Sequence, residues 1–321
     1  MFQNTTAEFR PELLAVMQEA TNVDDKFIAD LIYPAYPVKT RTGFYMRIKK
    51  GTGALLHTEG SDALKRAPGT PYKQVSRTFE QDGWKAVDRG LKEPLDDVNS
   101  QDTARFFDVE SSTAVWLQRN IRIATEQRVA ASIFGNTWGS NNASVTMIAA
   151  NRGTMDVPLD IRTAKRLVDK RGEMSNTCVM SRELWDLIAI SDLLKLFFFG
   201  QLNGASMITP QMFAEKFELQ QVLIGNASYA TSGKNKTVTD ADLAWCWPVD
   251  KIWIGQVQGG PPEAGGAGRR FVLEDTTSGG QLRVVETYRD EDLRSDIIRV
   301  REDTDEKVVN ENSGTIIQAI L

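Results

Sequence analysis

The sequence predicts an α+β protein, and three observations lead to that class. One stretch, Gln101–Phe134, contains neither glycine nor proline and carries apolar residues at the spacing of a long helix. Apolar and polar residues alternate in segments near both ends of the chain, as in half-buried strands. Between residues 140 and 275, short helical and strand patterns follow one another. At 321 residues, the chain is long enough to bury a core of its own.

Composition argues against most kinds of reactive site. The chain has one histidine, His57, and two cysteines, Cys178 and Cys246, among 38 basic and 43 acidic side chains. A structural zinc site takes about four Cys or His ligands, and a Ser-His-Asp or Cys-His site would have to use His57, which lies in a glycine-bracketed loop. We therefore expect no enzyme activity, no metal and no cofactor. Two isolated cysteines favour reduced thiols over a disulfide framework.

Segments that could bind phosphate, cations or membranes lack the required pattern. Ser232–Thr237 does not have the spacing of a phosphate loop, and the acidic Glu302–Glu306 does not have that of an EF-hand. A solvated face or intersubunit salt bridges explain such acids better. The N-terminus lacks the features of a signal peptide, and the apolar run Leu193–Phe199 is too short to span a bilayer. We expect a soluble chain made in a cytoplasm.

The first 32 residues contain two short helical patterns, Pro11–Ala20 and Asp24–Ile32. Both begin with acidic residues, which suits the helix dipole, and neither is long enough to be stable alone. Residues 1–32 therefore fit either an arm that lies across a neighbouring molecule or a helical cap on the chain's own core.

Residues 33–85 predict an extended hairpin. Phe44, Met46 and Ile48 share one face of an alternating segment over Tyr33–Lys50, and a second alternating segment covers Tyr72–Phe79. A connection of this length is usually functional or disordered. Between residues 35 and 72 only two acids accompany the basic side chains Lys39, Arg41, Arg47, Lys49, Lys50, Lys65 and Arg66. The segment is either a solvated loop or a docking arm for an acidic neighbour or for phosphate.

The longest predicted element is a helix over residues 101–134 that ends at Gly135–Asn136. Helical throughout, it would be roughly 50 Å long, which approaches the span of a whole domain. The face predicted from helical spacing contains Val109, Thr113, Trp116, Asn120 or Ile121, Ala124 and Val129.

The remaining chain alternates helices and strands. The predicted helices are Leu159–Arg171, Ser181–Ile188 (with Ser181 as N-cap) and Thr209–Lys216. The predicted strands are Thr177–Met180, Gln221–Ile224, Leu243–Trp247, Lys251–Ile254, Leu282–Tyr288, Ile297–Arg301, Lys307–Val309 and Gly314–Ile320. The glycine-rich Gly259–Gly268 is predicted to be an irregular connector.

Several motifs occur in an order that resembles a known family. They are Asn176–Asp186, Ile208–Pro210, Phe217–Tyr229, Leu243–Trp247 and Glu286–Asp290, followed by Ile298–Val300. Together they resemble the major capsid protein of tailed bacteriophages, the Hong Kong 97-type fold shared with encapsulin shells. The resemblance covers nearly the whole chain, although each motif alone is weak.

The resemblance implies a division of the chain. Residues 1–32 are similar to the N-terminal arm, and residues 33–85 to the extended E-loop that overlaps a neighbouring subunit. Residues 86–139 and 276–321 resemble the peripheral (P) domain with its long spine helix, and residues 140–275 the α/β axial (A) domain.

The same resemblance implies a non-enzymatic shell protein of the virion, assembled in the host cytoplasm. Its partners would be copies of itself in pentamers and hexamers, with scaffolding, portal and decoration proteins, and without a membrane. It would enclose double-stranded DNA without reading its sequence, which suits an acidic chain. The alternative is an encapsulin-type compartment. The expected intersubunit contacts on the E-loop are Arg47, Lys49, Lys50, Lys65 and Arg66.

Overall fold

The computed structural model describes residues 7–23, 26–48, 65–72, 79–97, 108–139, 145–148, 156–200, 207–232, 236–274 and 283–320. The helices are α1 (Pro11–Val23), α2 (Ala29–Ile32), α3 (Val109–Gly135), α4 (Val157–Lys170), α5 (Arg182–Ala189), α6 (Asp192–Phe199) and α7 (Pro210–Lys216). The first strands are β1 (Glu8–Phe9), β2 (Ala35–Val38), β3 (Thr42–Ile48), β4 (Phe79–Lys85), β5 (Val87–Asp96), β6 (Val145–Ile148), β7 (Thr177–Ser181) and β8 (Gln221–Gly225). They are followed by β9 (Ser228–Ala230), β10 (Leu243–Trp245), β11 (Lys251–Gly255), β12 (Gly268–Leu273), β13 (Val284–Asp290), β14 (Ser295–Val308) and β15 (Gly314–Ile320).

Helices and several sheets in one chain confirm the α+β class. His57, Lys49 and Lys50 lie outside the described residues, as does most of the predicted strand Tyr72–Phe79. No helix among the described residues combines the length and apolar character that crossing a bilayer requires.

A six-stranded sheet is built around the long strand β14. β13 and β12 pair with successive parts of β14, and β5 pairs with Ser295–Thr304 along its opposite edge. β1 extends the sheet beyond β13, and β2 extends it beyond β12. The sequence predicts two strands, Ile297–Arg301 and Lys307–Val309, where the structure has a single strand of 14 residues.

Helix α3 packs along this sheet. The Asp108 side chain caps its N-terminus by accepting from the Ser111 amide, and the helix ends at Gly135 as predicted. Its 27 residues correspond to roughly 40 Å. Thr113, Ile121 and Val129 are buried, as expected. The prediction for Trp116 is wrong: its side chain is 56% exposed, because the buried stripe follows pairs of residues at 113/114, 117/118, 121/122, 125/126 and 129/130.

The two N-terminal helices pack on the chain's own core. Leu14 and Met17 of α1 form a buried cluster with Leu117 of α3 and with Ile298 of β14. α2 contributes to a second cluster that contains Ile32 and residues of α3. Between residues 7 and 32, the described part of the chain therefore acts as a helical cap on its own core, the second alternative that the sequence allowed.

A five-stranded sheet in the order β6-β15-β11-β7-β8 forms the other large unit. The predicted cap at Ser181 is confirmed, since its hydroxyl accepts from the Leu184 amide and starts α5 directly after β7. Leu184, Trp185 and Phe213 from the helices pack against this sheet in a buried cluster. Helix α6 corresponds to the apolar run Leu193–Phe199, for which no helix was predicted, and it ends at Gly200 with φ +70°.

Strand pairing divides the chain differently from the expected domain boundaries at two places. β12 precedes residue 276 but pairs with β14 in the six-stranded sheet. β15 follows residue 276 but pairs with β11 in the five-stranded sheet. The division into P and A domains otherwise stays a prediction.

Candidate functional site

The described residues contain no cluster of reactive side chains. No group of three or more His, Cys, Asp or Glu side chains among them could hold a metal ion. Cys178 and Cys246 are buried, and burial raises the pKa of both thiols, that of Cys246 to about 12. A groove of about 350 Å³ lies between β1, β13 and the start of α3. Four of its charged lining residues form ion pairs within the chain, Arg10 with Glu110 and Arg289 with Asp296.

The feature most suited to a partner is the hairpin of β3 and β4. The strands pair antiparallel from Thr42 opposite Lys85 to Ile48 opposite Phe79. A hairpin is present as predicted, but its second strand is Phe79–Lys85, whereas the predicted second strand was Tyr72–Phe79. The assignment of residues 33–85 to an E-loop stays a prediction. We call the side chains that point toward the six-stranded sheet its inner face and those that point away its outer face.

The inner face is anchored by stacked aromatic rings. Tyr45 and Trp84 stack on Phe271 of β12 with ring centroids 5.2 and 5.1 Å apart. Tyr36 meets the same ring edge-on at 5.9 Å. Phe271 is fully buried, so these contacts hold the base of the hairpin against the sheet.

The outer face leaves large apolar side chains in water. Phe44 is 73% exposed and Met46 is 52% exposed. Across the strand pair they lie opposite Gly83 and Gln81, which do not cover them. The prediction that Phe44 and Met46 share a face is confirmed, and this face points to solvent. Neighbouring exposed apolar side chains on an ordered strand are typical of an interaction surface.

The basic residues predicted for this surface differ in their surroundings. Arg47 lies on the inner face, where its guanidinium is 3.4 Å from Glu80, 3.5 Å from Asp82 and 3.6 Å from Glu311. Its charge is therefore balanced within its own chain. Lys65 and Arg66 are exposed.

Arg66 is held locally by its neighbours. Its guanidinium lies over the Tyr72 ring, 4.6 Å from the centroid, and donates to the Thr70 carbonyl. Because the structure does not describe Lys49 and Lys50, Lys65 and Arg66 are the predicted contact residues that it shows facing solvent.

The acids of Glu302–Glu306 do not form the solvated face that the sequence suggested. Glu302 is buried and accepts from Nη2 of Arg283 at 2.7 Å and from Nε at 3.1 Å. Arg128 of α3 lies 3.0 Å from Glu306. The arginines hold the pKa of Glu302 below its usual range despite burial. The Arg128 pair joins α3 to β14, and the Arg283 pair joins the segment before β13 to β14, both within one chain.

A buried carboxylate connects three parts of the chain, and the sequence interpretation missed it. Glu126 of α3 accepts from the Ala29 amide at the start of α2 and from the Trp247 indole, both at 2.6 Å. Burial raises its pKa to about 7. The available signal was its place on the helix, one turn after Arg122 and just before the buried Val129.

Several solved structures with a similar backbone come from phages. A phage-related protein from Bordetella bronchiseptica RB50 matches with a TM-score of 0.70 and 20% identity, over 98% of this chain and 97% of that chain. The capsid of cyanophage P-SCSP1u matches with a TM-score of 0.55 and 12% identity, over 90% and 86%. A virus-like particle from Pyrococcus furiosus matches with a TM-score of 0.55 and 10% identity, over 96% and 97%. No family model and no curated protein sequence matches the chain.

These similarities confirm the fold class expected from the sequence. The chain has the fold of phage capsid proteins, the Hong Kong 97-like fold, along nearly its whole length.

Proposed function

We propose that this chain is the major capsid protein of a tailed bacteriophage, which assembles as pentamers and hexamers into an icosahedral shell around double-stranded DNA. The observation that carries the proposal is the outer face of the β3–β4 hairpin. Phe44 and Met46 are exposed on β3, and the opposite face of the hairpin packs against Phe271. A neighbouring copy that covers this face removes apolar surface from water at no cost in hairpin order.

Charge supports a contact between unlike surfaces of two copies. Residues 33–85 contain ten basic and four acidic side chains, whereas the whole chain has a net charge of −5. A basic hairpin that meets an acidic body gives a head-to-tail contact, and such contacts close into rings. We assign Lys49, Lys50, Lys65 and Arg66 to this contact. Arg47 supports it by fixing the hairpin through Glu80 and Asp82.

The remaining roles belong to the same proposal. Residues 1–32 correspond to the N-terminal arm, whose helices α1 and α2 pack on the chain's own core. Residues 86–139 and 276–321 correspond to the P domain and residues 140–275 to the A domain, except that β12 belongs to the six-stranded sheet and β15 to the five-stranded sheet. The protein is a structural component of the virion, assembled in the host cytoplasm with scaffolding, portal and decoration proteins. An acidic chain with a pI of about 5.2 suits a container, because a basic inner wall would grip the DNA phosphates.

An encapsulin-type compartment is the second candidate, since the same fold occurs in the virus-like particle from Pyrococcus furiosus. The contents of purified particles separate the two functions. Double-stranded DNA supports the phage shell, and a protein cargo supports the compartment.

Aspartate substitutions on the outer face test the proposal. We expect Phe44→Asp with Met46→Asp to elute as a 35.8 kDa subunit in size-exclusion chromatography, while the wild type elutes as a megadalton assembly. Both side chains are exposed, so the urea midpoint of the subunit should not fall. Val238→Asp places the same charge on an exposed apolar residue away from the hairpin and should leave assembly intact. Normal particles from the double variant would contradict the proposed contact.

A further inference from the structure

Within the part of the chain that the structure describes, strand β5 has an open edge along its whole length. It pairs with β14 from Asp96 opposite Ser295 to Val87 opposite Thr304, and with no other strand among the described residues. Val87 and Leu91 are 43% and 42% exposed. A long open edge with exposed apolar side chains is a template for pairing with another strand.

The backbone direction along this edge can be deduced from three bonds. The amides of Lys85 and Asp97 donate toward β14, to the Asp305 carboxylate and to the Arg294 carbonyl, whereas Ala86 donates away from it, to Arg41. In an antiparallel ladder the bonding direction alternates. The odd-numbered residues of β5 therefore bond to β14, and the even-numbered residues point their N–H and C=O groups to the open edge.

Two neighbouring features define how much of this edge a second strand can use. Arg41, just before β3, bonds to Ala86 on the open side, so the hairpin covers this side up to the point where β5 begins. Pro94 is even-numbered, so its missing N–H falls at the open edge, and a strand paired there lacks the one ladder bond that this N–H would donate.

The sequence of β5 is complementary to itself in one antiparallel register. Only even-numbered residues present backbone groups at the open edge, so in an antiparallel pair of two β5 strands they must lie opposite each other. One register that meets this condition has its two-fold axis at Leu91. Leu91 then faces Leu91 of the second copy, Val87 faces Leu95, and Arg89 faces Glu93. A shift by two residues in either direction places Leu91 opposite Arg89 or opposite Glu93. Arg89 donates through Nη1 to Thr304 and retains other N–H groups for a carboxylate across the axis.

We propose that the open edge of β5 is a two-fold docking surface whose occupant is β5 of a second copy of this chain, in the register centred on Leu91. The inference rests on the proposed shell function. Contacts between unlike surfaces close each ring but do not join one ring to the next. A closed icosahedral shell therefore also needs two-fold contacts, in which one surface of the protein meets the same surface of a second copy. β5 supplies such a surface away from the outer face of the hairpin.

Cysteine cross-linking tests the register. In Leu91→Cys particles the two new thiols face each other across the axis in a non-hydrogen-bonded pair, with Cα atoms about 4.5 Å apart, within disulfide range. We expect oxidation to convert most chains to disulfide-linked dimers on a non-reducing gel, with no larger ladder. The native cysteines are buried and do not compete.

Two further variants use the same register. Val87→Cys alone places the two thiols about 27 Å apart along the strands and should leave monomers. Val87→Cys with Leu95→Cys should restore the dimer. This double variant carries the test if Leu91→Cys does not fold.

Electron microscopy of the same samples separates this inference from the proposed function. In one outcome the particles are intact, but the Leu91→Cys and double-variant chains stay monomeric on the gel. Another segment or protein then covers β5. This result overturns the inference about β5 but does not affect the proposed shell function. Cross-linking of Val87→Cys alone as efficiently as Leu91→Cys overturns the register. A wild type that forms no assembly and variants that form no dimers overturn both proposals.

Discussion

Glu126 makes the stability of this chain depend on pH in a direction opposite to that of most carboxylates. It is 1% exposed, and its two oxygens accept from the Ala29 amide and from the Trp247 indole. Burial raises its pKa from 4.5 to about 7, and the charge of the nearby Asp30 acts in the same direction. The two N–H donors favour the ionised form but do not outweigh burial.

The sign follows from where the proton binds more tightly. Because the folded pKa lies above the unfolded one, the folded chain holds the proton through a range in which the unfolded chain has released it. The contribution is fully present below about pH 4.5 and is lost as the pH rises through about 7. The free energy of unfolding should therefore fall by about 3 kcal/mol across this range because of Glu126 alone.

Glu126→Gln removes this dependence at a known structural cost. The amide offers one acceptor oxygen where the carboxylate offers two, so either Ala29 or Trp247 loses its acceptor. Leaving a buried donor unpaired costs about 1–3 kcal/mol at every pH. We expect the variant to be less stable than the wild type at pH 5 and to equal or exceed it at pH 8.

Urea denaturation of the unassembled subunit, followed by tryptophan fluorescence between pH 5 and pH 8, measures the difference. Glu215→Gln, an exposed glutamate on α7, serves as the matched control and should run parallel to the wild type. The difference between wild type and Glu126→Gln isolates this one group from all other titrations. If that difference does not change with pH, the buried carboxylate is not the source and the reasoning fails.

Two further predictions concern packing. Phe271→Ala should lower the free energy of unfolding by about 3–5 kcal/mol and speed proteolysis of the hairpin, and Phe271→Leu should have a smaller effect. Urea denaturation and timed digestion measure the two effects. An unchanged urea midpoint would contradict the aromatic anchor. Cys178 and Cys246 should react with a thiol reagent such as Ellman's reagent only after unfolding, because burial both blocks access and raises their pKa values; rapid labelling of the native subunit would refute this.

The parts of the fold that local patterns specify could be predicted from the sequence. Helix α5 has Ser181 at its cap and lies within one residue of its predicted bounds. Helix α3 ends where its segment free of glycine and proline ends, but it begins at Val109, eight residues after the predicted start at Gln101. β5 was missed because Gly90, Pro94 and its charges break any alternation. It forms because β14 offers a ten-residue edge, which no local pattern reveals.

Burial of charge explains the other misses. Arg269 and Arg270 follow the predicted connector Gly259–Gly268 and lie near the start of β12. Both are buried, and Arg269 donates to the carbonyls of Gly260, Gly265 and Gly268. The acids of β14 similarly resemble a solvated face, yet Arg128 and Arg283 pair with them inside the chain. These partners are distant in sequence, and a single sequence does not show which charged residues pair with each other.

The sequence could predict which residues of β3 share a face, but it could not predict which face is exposed. Alternation places Phe44 and Met46 on one face and Tyr45 and Arg47 on the other, but it does not say which face meets the core. The more polar face is buried, because Phe271 stacks on Tyr45 and because Glu311 lies near Arg47. The apolar face is left outside, the reverse of what a protein without partners would select.

The two proposed surfaces make separate demands on one chain. The outer face of the hairpin meets an unlike surface, so it sets how many copies close a ring. The β5 edge meets itself, so it joins rings without changing their number. β5 follows the hairpin directly in the chain, with Ala86 the only residue between β4 and β5. Because the Phe271 anchor and the long β14 ladder hold the hairpin and β5 on one sheet, the angle between the two contacts is fixed by a single rigid unit. The curvature of a shell depends on that angle.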